Sequence, residues 1–168
     1  MAPAVREKEA FETIVARYAS TVLRVCRAVV DATDADDAWS ETFISAMRAY
    51  PELPADANIE AWLVTIAHRK AIDIVRRAAR RAIPVDGPPE AATSEGSTTT
   101  GDVALVLAGL PPRQRQAVAY HYLAGLPYTE VAAITGGTPE AARRAAADGI
   151  ASLRRSYPDL AALRRETA

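Results

Sequence analysis

Residues 125–144 read G-L-P-Y-T-E-V-A-A-I-T-G-G-T-P-E-A-A-R-R. From about Tyr128 to Thr135 the pattern is helical. Gly136 and Gly137 then make a tight turn, Thr138 is placed to cap a further helix, and Pro139 stands at a first helical position, where its missing N–H costs nothing. The helix that it opens carries Ala142, Ala146, Ile150 and Leu153 on one face. Two short helices joined by a three-to-four-residue turn with glycine form the helix-turn-helix arrangement, whose second helix enters the DNA major groove. Many helical hairpins share such a turn, so the pattern by itself leaves a purely structural hairpin open.

Upstream of this stretch, residues 103 to 110 and 112 to 125 give two more short helical patterns, the second opened by Pro112 and stopped by Gly125, a natural left-handed C-terminal residue. The first 83 residues carry three longer ones. Between 9 and 30, Phe11, Ile14, Val15, Tyr18, Val22, Val25 and Val29 recur at three and four, as on an amphipathic helix. Asp34 is read as the N-cap of a second helix, with Asp37 three residues on. Its apolar positions Ala38, Trp39, Thr42, Ala46 and Tyr50 run until Pro51 and Pro54. A third spans about 58 to 81 through Ile59, Trp62, Leu63, Ile66, Ile72, Val75 and Ala79, with Lys70 close to that seam.

Residues 84 to 102 are rich in Pro, Gly, Ser and Thr and contain no basic residue, so little there offsets the entropy of ordering and the segment reads as a flexible acidic linker. The expected fold is therefore all-α, with two small helical domains, 1–83 and 103–168, joined by that linker. Of the 168 residues 6% are aromatic, and the net charge of −1 conceals a sorted distribution. The three segments carry 0, −4 and +3. Such sorting is what electrostatic recognition requires.

Several function classes are disfavoured. The single Cys26 has no disulfide partner within the chain and reads as a small buried residue; with only His68 and His121 beside it, no metal site, cofactor site or catalytic triad can be assembled. Tyr120, His121 and Tyr122 read as a packed patch with one exposed ring. No apolar run approaches the ~20 residues that cross a membrane, and the N-terminus lacks the pattern of a signal peptide, so no membrane insertion and a cytoplasmic location are expected.

Three charged groups stand out. His68, Arg69, Lys70, Arg76, Arg77, Arg80 and Arg81 make the third helix end in a basic block, which can track phosphates or complement the helix dipole. Asp31, Asp34, Asp36, Asp37 and Glu41 cluster at the start of the second helix, favourable there for structural reasons and also suited to dock a basic partner. Arg143 and Arg144 occupy the first turn and a half of the last helix, where arginine can bind guanine bidentately, hold phosphate, or simply be solvated.

The stretches A-D-D-A-W-S-E-T-F-I-S-A-M-R-A and A-D-A-N-I-E-A-W-L-V-T-I-A-H-R-K-A-I-D-I-V-R-R resemble the second conserved region of the extracytoplasmic-function group of bacterial sigma factors. L-P-P-R-Q-R-Q-A-V-A-Y-H-Y-L-A-G-L-P-Y-T-E-V-A-A-I-T-G resembles that group's fourth region. The resemblance covers most of residues 9 to 156 and implies a non-enzymatic factor that binds core RNA polymerase and directs it to promoter DNA.

By that resemblance Asp36, Asp37, Ser40, Glu41 and Thr42 dock on the polymerase. The loop 54–58, with Asp56 and Asn58, captures a flipped base of the −10 element. Trp62, His68, Arg69, Lys70, Arg76 and Arg77 line the path of the opened strand. Arg143, Arg144 and Ala147 meet the bases of the −35 element, with Arg113 and Arg115 on phosphates, and an anti-sigma protein is a possible further partner. Past Arg144 the chain departs from the family pattern with Ala145, Ala146, Ala147, Asp148 and Gly149. That departure keeps an alternative in view, a sigma-derived interaction protein with the fold and a protein partner but without specific DNA reading.

Overall fold

The structure, a computed structural model, describes residues 8–81 and 100–158, all of whose regular elements are helical. The linker read at 84–102 lies outside the described residues except for its last three, which already belong to a helix. Helix α1 (Phe11–Val29), α2 (Ala32–Ala49) and α3 (Ile59–Arg81) form the N-terminal bundle, with a 3-10 turn, Tyr50–Glu52, after α2. Helix α4 (Thr100–Ala108), α5 (Pro112–Val118), α6 (Tyr128–Thr135) and α7 (Pro139–Ser156) form the C-terminal part.

Helices α1 to α3 close around Ile14, Val22, Cys26, Phe43, Ala46, Tyr50, Leu63 and Ala67. Each polar group drawn into this core has a partner, as burial demands. The Trp39 indole N–H donates to the Ala19 carbonyl at 2.9 Å, the Tyr50 hydroxyl to that of Glu9 at 2.7 Å, and the Thr42 hydroxyl to that of Ala38 at 2.6 Å. Burial also pushes the Cys26 thiol up to about 12, so it remains protonated at neutral pH.

Two local expectations are corrected. Helix α2 is not capped at Asp34: it starts at Ala32, with Asp31 in the extended cap position, because Val30 is drawn into the core and closes the turn early. Asp34 instead lies in the first helical turn. At the other end, α3 outruns its neighbours, so Val75 and Ala79 face outward rather than into the core. The Asn58 side chain caps α3 by accepting the Ala61 N–H at 3.0 Å.

In the C-terminal part, the expected helix over 112 to 125 is broken into α5 and a π-helical turn, Ala119–Leu123, a rare geometry that adds a residue to the turn. Gly125 closes it with φ of 69°, and Gly136 turns the chain between α6 and α7 with φ of 80°, values at which a side chain would be strained. Thr138 caps α7 as its sequence position implied, its hydroxyl accepting the Ala141 N–H at 3.2 Å.

The two parts touch. One apolar cluster joins Val25, Ala28, Ala61 and Val64 of α1 and α3 to Leu107, Leu110, Val118 and Tyr120 beyond the linker. At its edge the Tyr120 hydroxyl and His68 Nδ1 share a 2.7 Å hydrogen bond.

Candidate nucleic-acid interface

The cationic side of α3 follows from helical spacing. Arg69, Arg76 and Arg80 point outward together, while Ala67, Ala71 and Ile74 on the opposite face are buried. Lys70 and Arg77 lie beside α2, where Glu41 receives both at 3.8 and 3.5 Å. Glu41, expected at the polymerase, and two cations expected on the DNA path are thus held against each other. Asp36 is similarly near Arg27 at 3.7 Å, whereas Asp37 and Ser40 are exposed or nearly so on the outer side of α2.

Thr42 is fully buried, with its hydroxyl spent inside α2, so its part in any docking surface is to set the helix packing. Burial, with the neighbouring carboxyl groups of Asp31 and Asp37, raises the Asp34 carboxyl above the ordinary carboxylate range. The outer strip of α2 also holds Ile44 and Met47, 48% and 55% exposed. They lie four and seven residues after Ser40, hence on its face. Their apolar character hid them in the sequence, because apolar residues on a helix are first assigned to the core.

The loop after the 3-10 turn leaves both Asp56 and Asn58 exposed, Asn58 at the helix start. Beneath it is a cavity of about 160 Å³ lined by Lys8, Glu9, Tyr50, Leu53, Pro54, Ala55 and Ile59. Trp62 is half-buried, its ring 6.3 Å from that of Tyr50. His68 is turned toward Tyr120, and burial, aided by the charge of Arg69, lowers its imidazole below the usual range.

On α7, Arg143, Arg144 and Ala147 are exposed on consecutive turns. Arg143 stands over the Tyr128 ring, 5.5 Å from its centroid. Arg113 is exposed. Arg115 is not free in this arrangement: its guanidinium donates to the carbonyls of Ala108 at 2.8 Å, Leu110 at 3.2 Å and Val29 at 3.4 Å. A phosphate contact from it requires those bonds to be given up. Gly149, a departure in the sequence, has a packing reason: a Cβ there would lie 2.8 Å from Val118 Cγ2.

Two helical bundles, the second ending in a helix-turn-helix with paired arginines at the start of its recognition helix, define a DNA-binding protein of transcription. Residues 14–81 match the family described as sigma-70 region 2, and residues 101–153 that described as sigma-70, region 4. Over 136 residues the chain is 31% identical to the ECF RNA polymerase sigma factor SigC of Mycobacterium tuberculosis, an alignment that covers 76% of this chain and 72% of that protein.

Among solved structures it is similar to CnrH, seen in complex with the cytosolic domain of CnrY, at 25% identity and a TM-score of 0.66 over 89% of this chain and 88% of that one. The fold also aligns with the sigma factor RpoE of Bartonella quintana, solved with the anti-sigma factor NepR, at 18% identity and a TM-score of 0.72 over 86% of this chain and 94% of that one. The chain belongs to the extracytoplasmic-function family of RNA polymerase sigma factors.

Proposed function

We propose that this sigma factor works as two modules, 1–83 and 103–168, on the tether 84–102, and that each module holds one promoter element. The outer edge of α2, through Asp36, Asp37, Ser40 and Glu41 with Thr42 beneath, docks on core RNA polymerase. The loop with Asp56 and Asn58 receives a flipped −10 base, and Trp62, His68, Arg69, Lys70, Arg76 and Arg77 accompany the opened strand, since a base taken from the stack needs a pocket and its backbone needs cations. Arg143, Arg144 and Ala147 read the −35 element, with Arg113 and Arg115 on its phosphates. The factor supplies recognition, and the polymerase supplies the chemistry.

The observation that carries this reading is the pair of outward cationic surfaces, Arg69, Arg76 and Arg80 on α3 and Arg143 with Arg144 on α7, one in each bundle. Promoter elements that their names set about 25 base pairs apart are separated by roughly 85 Å of duplex, at ~3.4 Å per pair. A compact body of this chain length is only about 40 Å across. The modules therefore part at the Tyr120–His68 interface when both elements are held.

The sigma factor RpoE, solved with the anti-sigma factor NepR, suggests a protein inhibitor as a further partner, and the exposed Ile44 and Met47 offer it apolar surface. The test is reconstitution with core polymerase. Co-purification and promoter-dependent initiation are expected, and R76A/R77A should reduce the salt dependence of promoter binding by about 0.9 log units per log unit of salt for each phosphate no longer neutralised. An unchanged slope would remove α3 from the DNA path. The exposed Ala147 and Asp148 favour one second reading, a sigma-derived interaction protein. It predicts core binding with no preference for any upstream sequence.

A further inference from the structure

The π-helical turn before α6 sends consecutive side chains in different directions. Tyr120 goes inward and is fully buried, while Tyr122 is 56% exposed. His121 comes to lie flat against Tyr128, the first residue of α6, with ring centroids 4.0 Å apart and an interplanar angle of 17°. Tyr122 meets His121 edge-on at 4.8 Å. The His121 ring is also fixed in its own plane, because Nδ1 is 2.7 Å from the Leu126 carbonyl oxygen. A carbonyl only accepts, so Nδ1 carries the hydrogen and donates.

Arg143 reaches back from the first turns of α7 to the same Tyr128 ring. Among the described residues no carboxylate lies within ion-pairing distance of it. The difference is chemical. A carboxylate occupies the N–H fork of a guanidinium, whereas an aromatic face attracts the cation and leaves the edge donors free. Reading guanine requires that fork, presented in one plane. A free arginine must first give up its rotamer freedom to present it.

Resting on the assignment of α7 as the helix that reads upstream DNA, we propose that His121 and Tyr128 are positioning residues for sequence reading: their stack holds the Arg143 guanidinium in the orientation in which it meets a base edge. The π-helical turn is what makes this possible, since a residue more or less in that turn would rotate His121 away from Tyr128. It also supplies a determinant of specificity that the alanines after Arg144 do not.

The experiment uses the reconstituted holoenzyme and a promoter that it selects from DNA randomised over the upstream element. Discrimination is the ratio of affinities for the selected promoter and for single-base variants of it. Arg143→Ala should abolish discrimination at one base pair, a factor of roughly 5 to 150 for a bidentate contact. Tyr128→Leu should lower it at that same pair by roughly two- to fivefold, the range of an exposed cation–ring contact. Tyr128→Phe, which keeps the ring, should match the parent. The salt slope should not move in either Tyr128 variant, because every phosphate partner is still in place.

Combining Arg143→Ala with Tyr128→Leu should add no further loss at that pair. His121→Leu gives a second removal of the stack should Tyr128→Leu melt early. If Arg143→Ala loses discrimination while Tyr128→Leu and His121→Leu keep it, the positioning role is refuted and the reading of α7 survives. If Tyr128→Phe loses as much as Tyr128→Leu, the hydroxyl acts on DNA directly and the proposal fails. If Arg143→Ala itself discriminates normally, α7 is not the reading helix and both ideas fall.

Discussion

The helices before the linker and those after it solve the same problem with different means. Helices α1 to α3 bury Ile14, Val22, Phe43, Tyr50 and Leu63 among themselves, a cluster that uses no residue from beyond the linker. Helices α4 to α6 are short and α7 is rich in alanine, and their cluster is completed by Val25, Ala28, Ala61 and Val64 of the N-terminal bundle. Their cations differ in the same sense. Lys70 and Arg77 are held by the Glu41 carboxylate, whereas Arg143 is held by the face of Tyr128. Short helices with small side chains enclose little core alone, so the C-terminal part leans on its neighbour, through the interface that the proposed function has promoter binding break.

The comparison is most exposed to failure at Tyr120. Emptying that fully buried site with Tyr120→Ala should cost about 3–5 kcal/mol, measured by chemical denaturation. The loss should fall on α4 to α7, with hydrogen exchange in α1 to α3 changed far less. A uniform loss would mean that the two parts fold as one unit. Next in size, Gly149→Ala forces a methyl against Val118, and overpacking of about 1–3 kcal/mol should outweigh the gain in helix propensity of about 1 kcal/mol. A stabilised Gly149→Ala variant would show that α7 can slide on α5.

Smaller effects test the charged pairs. Glu41→Gln should change stability by less than about 1 kcal/mol, because its pairs with Lys70 and Arg77 lie near solvent. A loss beyond about 2 kcal/mol would make them structural props rather than cations at rest. The smallest effect concerns pH. Burial and Arg69 hold His68 below the ordinary imidazole range, so the undocked or unfolded form takes up its proton first. The stabilisation is complete above a pH of about 6.5 and is lost as the pH falls through and below that value.

Asp34 and Glu60, raised in the folded chain, titrate with the opposite sign. The measurement is therefore the difference in melting temperature between the parent and His68→Gln across that range. A difference that stays flat with pH would mean that the His68–Tyr120 bond does not sense its proton.

Much of the architecture was legible in the order of residues alone. The three-and-four recurrence of apolar positions identified α1 to α3 and the inner face of α7, Pro and Gly bounded the shorter helices between them, and Thr138, Pro139 and Gly136 marked the turn between α6 and α7. These are local signals, each carried by a few neighbours in sequence, so they survive without knowledge of the fold. The basic block on α3 and the acids around α2 were visible for the same reason.

Chain order could not contain which surfaces meet. That Glu41 faces Lys70 and Arg77, that Arg115 is taken up by three carbonyls, and that Thr42 is enclosed depend on how helices distant in sequence pack. The π-helical turn has no propensity signature, yet it decides that Tyr120 meets His68 across 52 residues while His121 lies under Tyr128. Periodicity determined which residues share a face, since that follows from backbone geometry within one helix. Only the packing of helices against one another determined what each face would touch, because burial and pairing are free energies of the assembled core.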